Sequence, residues 1–292
     1  RVWSYFNKFT DHGKEYLPYI EGKTNDPMPL FIRPKQKLSV QDVKDMMRDH
    51  YEGTPLDISN DFGAGPYKTP YRLSPLNFKV GDKEYFNERP ISTQQSGFVF
   101  VAQMRANKPD VIGGVLWFGV DDANMTVFTP VYCCSTKAPL CYTRVDGADY
   151  ITFSWNSAFW IFNWVSNMVY PRYSLMIDDI RATQKELETT FNQAQDGIEE
   201  MAAKLLAKDK NAAIEFLTNY TNMTAQSTFD TWKQLGTFLI VKDNDGVVKR
   251  MKDGKFERNS IGQPAGVIRP GYPKEFLEEY VKQTGERYMV TE

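Results

Sequence analysis

The sequence predicts an α+β fold. An antiparallel sheet sandwich with covering helices occupies residues 1–170, and residues 171–292 form a helical pair, a hairpin and a terminal helix packed on it. Three observations predict this. Residues 76–132 carry the two-residue period of strands, and two of their runs, VIGGVLWFGV and TVFTPVY, are nearly apolar throughout, as strands covered on both faces are. Residues 150–170 hold no charge and crowd aromatic rings together, as a helix buried against a sheet does. After Pro171, apolar residues from Ile177 to Leu205 recur at threes and fours with charges between them.

Composition narrows the function. A chain of 292 residues with 41% hydrophobic content buries a core without disulfides or metals. Its 35 basic and 37 acidic residues are interspersed without blocks, so neither a nucleic acid nor a membrane surface is expected as partner. Cys133, Cys134 and Cys141 lie within nine positions, a count and spacing that fit neither a disulfide framework nor a zinc ribbon. They read as inert buried thiols, with one short bridge to Cys141 as the alternative. His12 and His50 are the only histidines, too few for a His-rich metal site. No GxSxG elbow, Walker loop, dinucleotide fingerprint or HExxH helix occurs, and no cofactor is expected. The opening RVWSYFNKFT has neither an initiator Met nor a signal-peptide pattern.

The elements follow in order. Three prolines in PMPLFIRPKQK bar a continuous helix, so the first 38 residues are expected to be loosely organised. Ser39 is placed to cap SVQDVKDMMRDHY, with Asp42 three residues on as an acidic capping box. The Gly-, Pro- and Asp-rich stretch 52–75 reads as a long ordered loop. LNFKV and KEYFNERPIS flank a Gly81-Asp82 turn, and FVFVAQMR, VIGGVLWFGV and TVFTPVY are the next strands. The uncharged run 150–170 is long enough to span a bilayer, but Asn156, Asn163 and Asn167 stripe one face with amides, which favours a helix buried in protein. A second long helix is expected from about residue 211 to 239, antiparallel to the first. LIVKDNDGVVKRM is expected as a hairpin, and PKEFLEEYVKQT as a last helix closed by Gly285.

Two polar concentrations are candidate sites. The strand ending at Val120 runs into Asp121 and Asp122; adjacent strand-end residues point to opposite faces, so one is expected to cap or pair while the other faces a cleft. STQQSGF brings Gln94 and Gln95, which donate and accept, next to a glycine that permits close backbone approach. Ordinary turn chemistry is the alternative. Arg105 closes its strand as a surface residue or a carboxylate clamp, and His50 reads as a structural helix-end histidine. Asn124, Asn219 and Asn222 begin glycosylation-type triplets, weak signals without a secretory context.

Taken together, MRDHYEGTPLD, NERPISTQQSGFVFVAQMR, GGVLWFGVDDANMTVFTPVY and FSWNSAFWIFNWVSN resemble the C-terminal half of the cysteine dipeptidases related to dipeptidase A and, more distantly, to penicillin V acylase. The resemblance runs from about residue 33 to 181 and fades beyond. It implies an N-terminal-nucleophile hydrolase fold, incomplete in this chain, in which a leading cysteine attacks the amide carbonyl and its own α-amine serves as base. Residue 1 here is Arg1, so the resemblance implies that the nucleophile lies upstream, that no catalytic residue belongs to these 292, and that the chain alone is inactive. The expected partners are a dipeptide and the missing N-terminal half, with Gln94, Gln95, Asp121, Asp122 and Arg105 as substrate-binding candidates; homo-oligomers are compatible with all of this. Exported or periplasmic placement is preferred to cytoplasmic. A peptide-binding module without catalysis and an acylase-type hydrolase are the alternatives.

Overall fold

The computed structural model describes residues 1–291. The helices are α1 (Val2–Phe9), α2 (Leu17–Ile20), α3 (Val40–Met47), α4 (Asp110–Gly113), α5 (Ala158–Val169), α6 (Tyr173–Leu206), α7 (Lys210–Lys242) and α8 (Lys274–Thr284). The capping box forms as expected: the Ser39 hydroxyl accepts from the Asp42 amide at 3.1 Å, and the Asp42 carboxylate accepts from the Ser39 amide at 2.7 Å. The segment before it is more regular than expected. Its prolines lie beyond α1, whose Trp3 is buried and donates from Nε1 to the Gly13 carbonyl at 2.8 Å.

Strands β1 (Asn77–Val80) and β2 (Lys83–Phe86) pair across the expected Gly81-Asp82 turn. The main sheet is antiparallel, with β4 (Gly114–Val120) between β3 (Phe98–Met104) and β5 (Thr129–Tyr132). Its register sets Phe98 opposite Val120, which carries Gly97 to the exit of β4, where the Asp121 amide donates to the Gly97 carbonyl at 2.9 Å. One face, with Val99, Val101, Val115 and Trp117, is buried beneath the helices. There Gln103 accepts from Trp117 Nε1 and from Gln195 of α6, both at 3.0 Å.

The other face corrects the expectation of strands covered on both sides. Leu116 and Phe118 are half-buried, and Phe98, Phe100 and Met104 are 61%, 48% and 62% exposed. An apolar strand reports what its two faces tolerate, not whether a layer within the same chain meets both.

Helices α6 and α7 form the expected antiparallel pair, and α5 packs on α7, with Phe162 and Trp232 stacked at 4.7 Å. The uncharged run yields a helix only over Ala158–Val169; residues 150–157 are turns, because Asp146 and Asp149 accept from Ser154, Asn156 and the Ile151 amide and hold the chain out of a helix. Among the described residues no helix is long and apolar enough to cross a membrane.

A second correction concerns LIVKDNDGVVKRM. Its first four residues end α7, and the remainder divides between β6 (Val248–Lys249), paired with β9 (Val267–Ile268), and β7 (Met251–Lys252), which turns through Asp253-Gly254 into β8 (Lys255–Phe256). Leu239 belongs to the buried stripe of α7, so packing on the core overrides its strand pattern. The last helix ends on Gly285 at φ +58°, as expected, with Pro273 as its N-cap.

Candidate active-site cleft

Where β4 ends, the chain makes a tight reversal. Asp121 adopts φ +66°, which L residues rarely accept, and this left-handed turn, in place of strand alternation, sends the two carboxylates to different partners. Asp122 is consumed internally. It accepts from the Tyr71 and Ser92 hydroxyls, from Tyr170 at 3.3 Å and from the Asn124 amide at 3.2 Å, capping the turn Ala123–Met125. Asn124 extends this network: its Nδ2 donates to the Tyr71 and Tyr173 hydroxyls at 2.9 and 3.0 Å, and its Oδ1 accepts from Arg181. Fully buried in these contacts, Asn124 presents no glycosylation acceptor to solvent.

Asp121 turns to the opposite side. Its Oδ1 accepts from Asn163 Nδ2 at 2.9 Å and its Oδ2 from the Ser166 hydroxyl at 2.7 Å, both on α5. Burial pushes this carboxyl up to about 7, against the two donors, which favour the ionised form. The side chain lies at the floor of a cleft of about 1190 Å³ lined also by Gln94, Gln95, Asn163 and Asn167, by Thr69, Tyr71, Arg72 and Leu73 of the long loop, and by Tyr150, Phe159, Trp160 and Tyr170. Asp121 lines the floor of the cleft although it is fully buried, and the half-buried Asn163 stands beside it as the more accessible group. Asn163 Oδ1 in turn accepts from Asn167 Nδ2 at 3.2 Å, and Gln94 Nε2 donates to the Arg72 carbonyl at 2.6 Å.

The remaining candidates disperse. Arg105 is a structural clamp in place of a substrate clamp: with Lys108 it grips the buried Glu199 of α6, at 2.6 and 2.9 Å, and its guanidinium also donates to the Ile112 carbonyl. His50 is buried edge-on to Tyr71, with Nδ1 3.2 Å from Glu52. The cysteines are all free, and Cys133 is exposed where a buried thiol was expected. Burial raises the Cys134 thiol and pushes Cys141 up to about 11, the reverse of what a nucleophile needs. Among the described residues no three His, Cys, Asp or Glu side chains converge as a metal's ligands would.

Of the residues named from the sequence, Gln94, Gln95 and Asp121 line one cleft with Asp122 next to it, while the asparagines of α5 read from sequence as buried polar groups. Sequence reasoning missed Tyr71, Tyr170 and Tyr173, whose hydroxyls meet the Asp122–Asn124 turn from two segments about a hundred residues apart in the chain. A second, polar cleft of about 660 Å³ lies between α3 and α6, but its central charges are spent on each other, Arg48 gripping Glu188 at 2.5 and 3.2 Å.

Residues 1–186 match the family model described as Peptidase family C69. The chain belongs to peptidase family C69. Among curated relatives it is 25% identical to "Probable dipeptidase B" of Lactococcus lactis over 240 residues, 81% of this chain and 45% of that protein. It is 24% identical over 255 residues to "Probable dipeptidase" of Latilactobacillus sakei, covering 84% and 47% of the two chains. "Dipeptidase A" of Lactobacillus helveticus is 24% identical over 162 residues, 55% of this chain and 28% of that protein. The C69 chain thus spans about half the length of the first two.

Proposed function

We propose that this chain forms the C-terminal part of an N-terminal-nucleophile cysteine dipeptidase. A cysteine outside these residues attacks the peptide carbonyl, its own α-amine taking the thiol proton, and the cleft above Asp121 holds the dipeptide's ammonium end. The observation that carries this is a buried carboxylate standing directly behind a cleft lined by amide side chains. Asp121 fixes Asn163 Nδ2, and Asn163 Oδ1, which already accepts from Asn167, keeps a second lone pair for an incoming donor. An ammonium received there is stabilised by the Asp121 charge behind it, in surroundings of low dielectric where such a charge counts for more than in water. Gln94, its Nε2 occupied by the Arg72 carbonyl, keeps Oε1 for the peptide N–H, and Gln95 lines the same wall. Family membership and the dipeptidase names of the relatives support the reaction class. The raised pKa values of Cys134 and Cys141 support a nucleophile from elsewhere.

The open side of the main sheet fits the same reading. We propose that the apolar face bearing Phe98, Phe100 and Met104 is covered by further residues of the longer protein, completing the sheet sandwich; the greater length of the relatives supports this.

In the full-length enzyme, Asp121→Asn should raise KM for dipeptides about tenfold with little change in kcat, because a binding charge is removed and the chemistry is not. It should also abolish the fall in KM that ionisation of Asp121 near pH 7 produces in the unaltered enzyme. An unchanged KM with an intact pH profile would remove Asp121 from the site. Faster cleavage of N-acylated substrates than of free dipeptides would favour the acylase reading, for which the aromatic wall of Tyr150, Phe159 and Trp160 is the supporting feature.

A further inference from the structure

A second cavity of about 460 Å³ adjoins the cleft. The two share Tyr150, Phe159 and Trp160 as a common wall, and Val120, the residue before Asp121, lines the second. We infer that this cavity is the side-chain subsite for the amino-terminal residue of the substrate, shaped for a large apolar or aromatic group. The inference rests on the dipeptidase reading above and adds the substrate class that reading leaves open.

Helical geometry supplies the registration. Phe159 and Trp160 stand four and three positions before Asn163 on α5, so their rings lie one turn from the amide assigned to the ammonium. In an amino-terminal residue the side chain leaves the carbon that bears the ammonium, so anchoring one at Asn163 delivers the other to this wall. The wall is also stiff. Trp160 Nε1 donates to the carbonyls of Asp149 and Thr152 at 3.1 and 2.8 Å, and its ring lies 5.3 Å from Phe159 and 5.5 Å from Phe153. A fixed aromatic surface binds an apolar group without the entropy cost of ordering its own side chains.

The lining chemistry excludes a charged occupant. Arg144 and Asp149, the two formal charges, neutralise each other at 3.1 Å on exposed side chains, and the remaining polar contributions come from hydroxyls and from the neutral thiol of Cys141. The volume exceeds what the largest natural side chain requires.

The test compares kcat/KM of the full-length enzyme for Phe-Ala and Gly-Ala. The unaltered enzyme should prefer Phe-Ala by tenfold or more, within the range that filling an apolar pocket supports. Thr143→Trp, which plugs the cavity from an exposed loop position, and Tyr150→Ala, which removes part of the wall at a residue 87% exposed, should each lower that preference about tenfold. Both positions are peripheral to the core, so the variants keep the fold. A preference unchanged in both variants overturns the subsite and leaves the dipeptidase reading standing. An unaltered enzyme that cleaves neither dipeptide overturns that reading, and the subsite with it.

Discussion

Asp121 and Asp122 are chemically identical and adjacent, yet their surroundings assign them opposite tasks. Asp122 is surrounded by hydroxyl donors at a turn, while Asp121 has two donors for two oxygens and no cation among them. The consequence for stability has a definite sign. The folded-state pKa of Asp121 is raised from 3.8 to about 7, so between those values the folded protein keeps a proton that the unfolded chain has released. The group therefore favours folding at low pH, and that contribution is lost as pH rises through about 7, on the order of 4 kcal/mol in total. Asp121→Asn, which mimics the protonated carboxyl, should be more stable than the unaltered protein at pH 8 by urea denaturation, with an advantage that shrinks as pH falls and vanishes only below 3.8, the unfolded value. A variant less stable at both would show that the two donors outweigh burial. Lys44 is a charge that sequence periodicity misassigns: it lies off the apolar stripe of α3, yet it is buried with its ammonium 3.4 Å above the Trp117 ring, where desolvation lowers its pKa to about 8.

Among the elements, α5 sets the geometry of the whole cleft, and its seat on α7 depends on one glycine. A Cβ added at Gly236 would meet the Trp164 ring at 2.3 Å, too close for the indole to yield without leaving the interface. Gly236→Ala should gain about 1 kcal/mol in helix propensity and lose roughly 1–3 kcal/mol to overpacking, a net fall in thermal midpoint. Scanning calorimetry measures it, and a rise in midpoint would mean that the helices slide without cost. The long pair α6 and α7 was legible because apolar positions recur over many turns. The end of α7 was not: LIVK is an apolar, β-branched run like a strand's, and the packing of Leu239 in the core holds it helical. The reverse error occurred at residues 150–157, where local carboxylate bonds defeat an apolar run that looked helical.

For the whole molecule, the exposed face of β3 and β4 is the largest departure from a self-contained fold. A row of apolar side chains on an open sheet is a surface that soluble proteins normally cover. In a background with Cys133 and Cys134 replaced by Ser, Phe100→Cys should react readily with a maleimide in the 292-residue chain and slowly in the full-length protein, read by intact mass. Equal rates in both would remove the proposed covering layer. The candidate site divides along similar lines. Gln94, Gln95 and the acid pair stood out in sequence as dense polar groups beside apolar strands, and β-register brings them together through Gly97 and Asp121. Arg105 looked equally suitable and points elsewhere, because Glu199, ninety-four residues on, captures it.

By itself the sequence determined most of the element types, the capped α3 and the paired long helices, because each of these follows from local periodicity or capping chemistry. Only the tertiary structure decided which aspartate backs the cleft, which amide faces out, and that the aromatic run forms a cavity wall. Those outcomes depend on which distant donors arrive at each carboxylate, and side chains brought together by packing leave no fixed spacing along the chain.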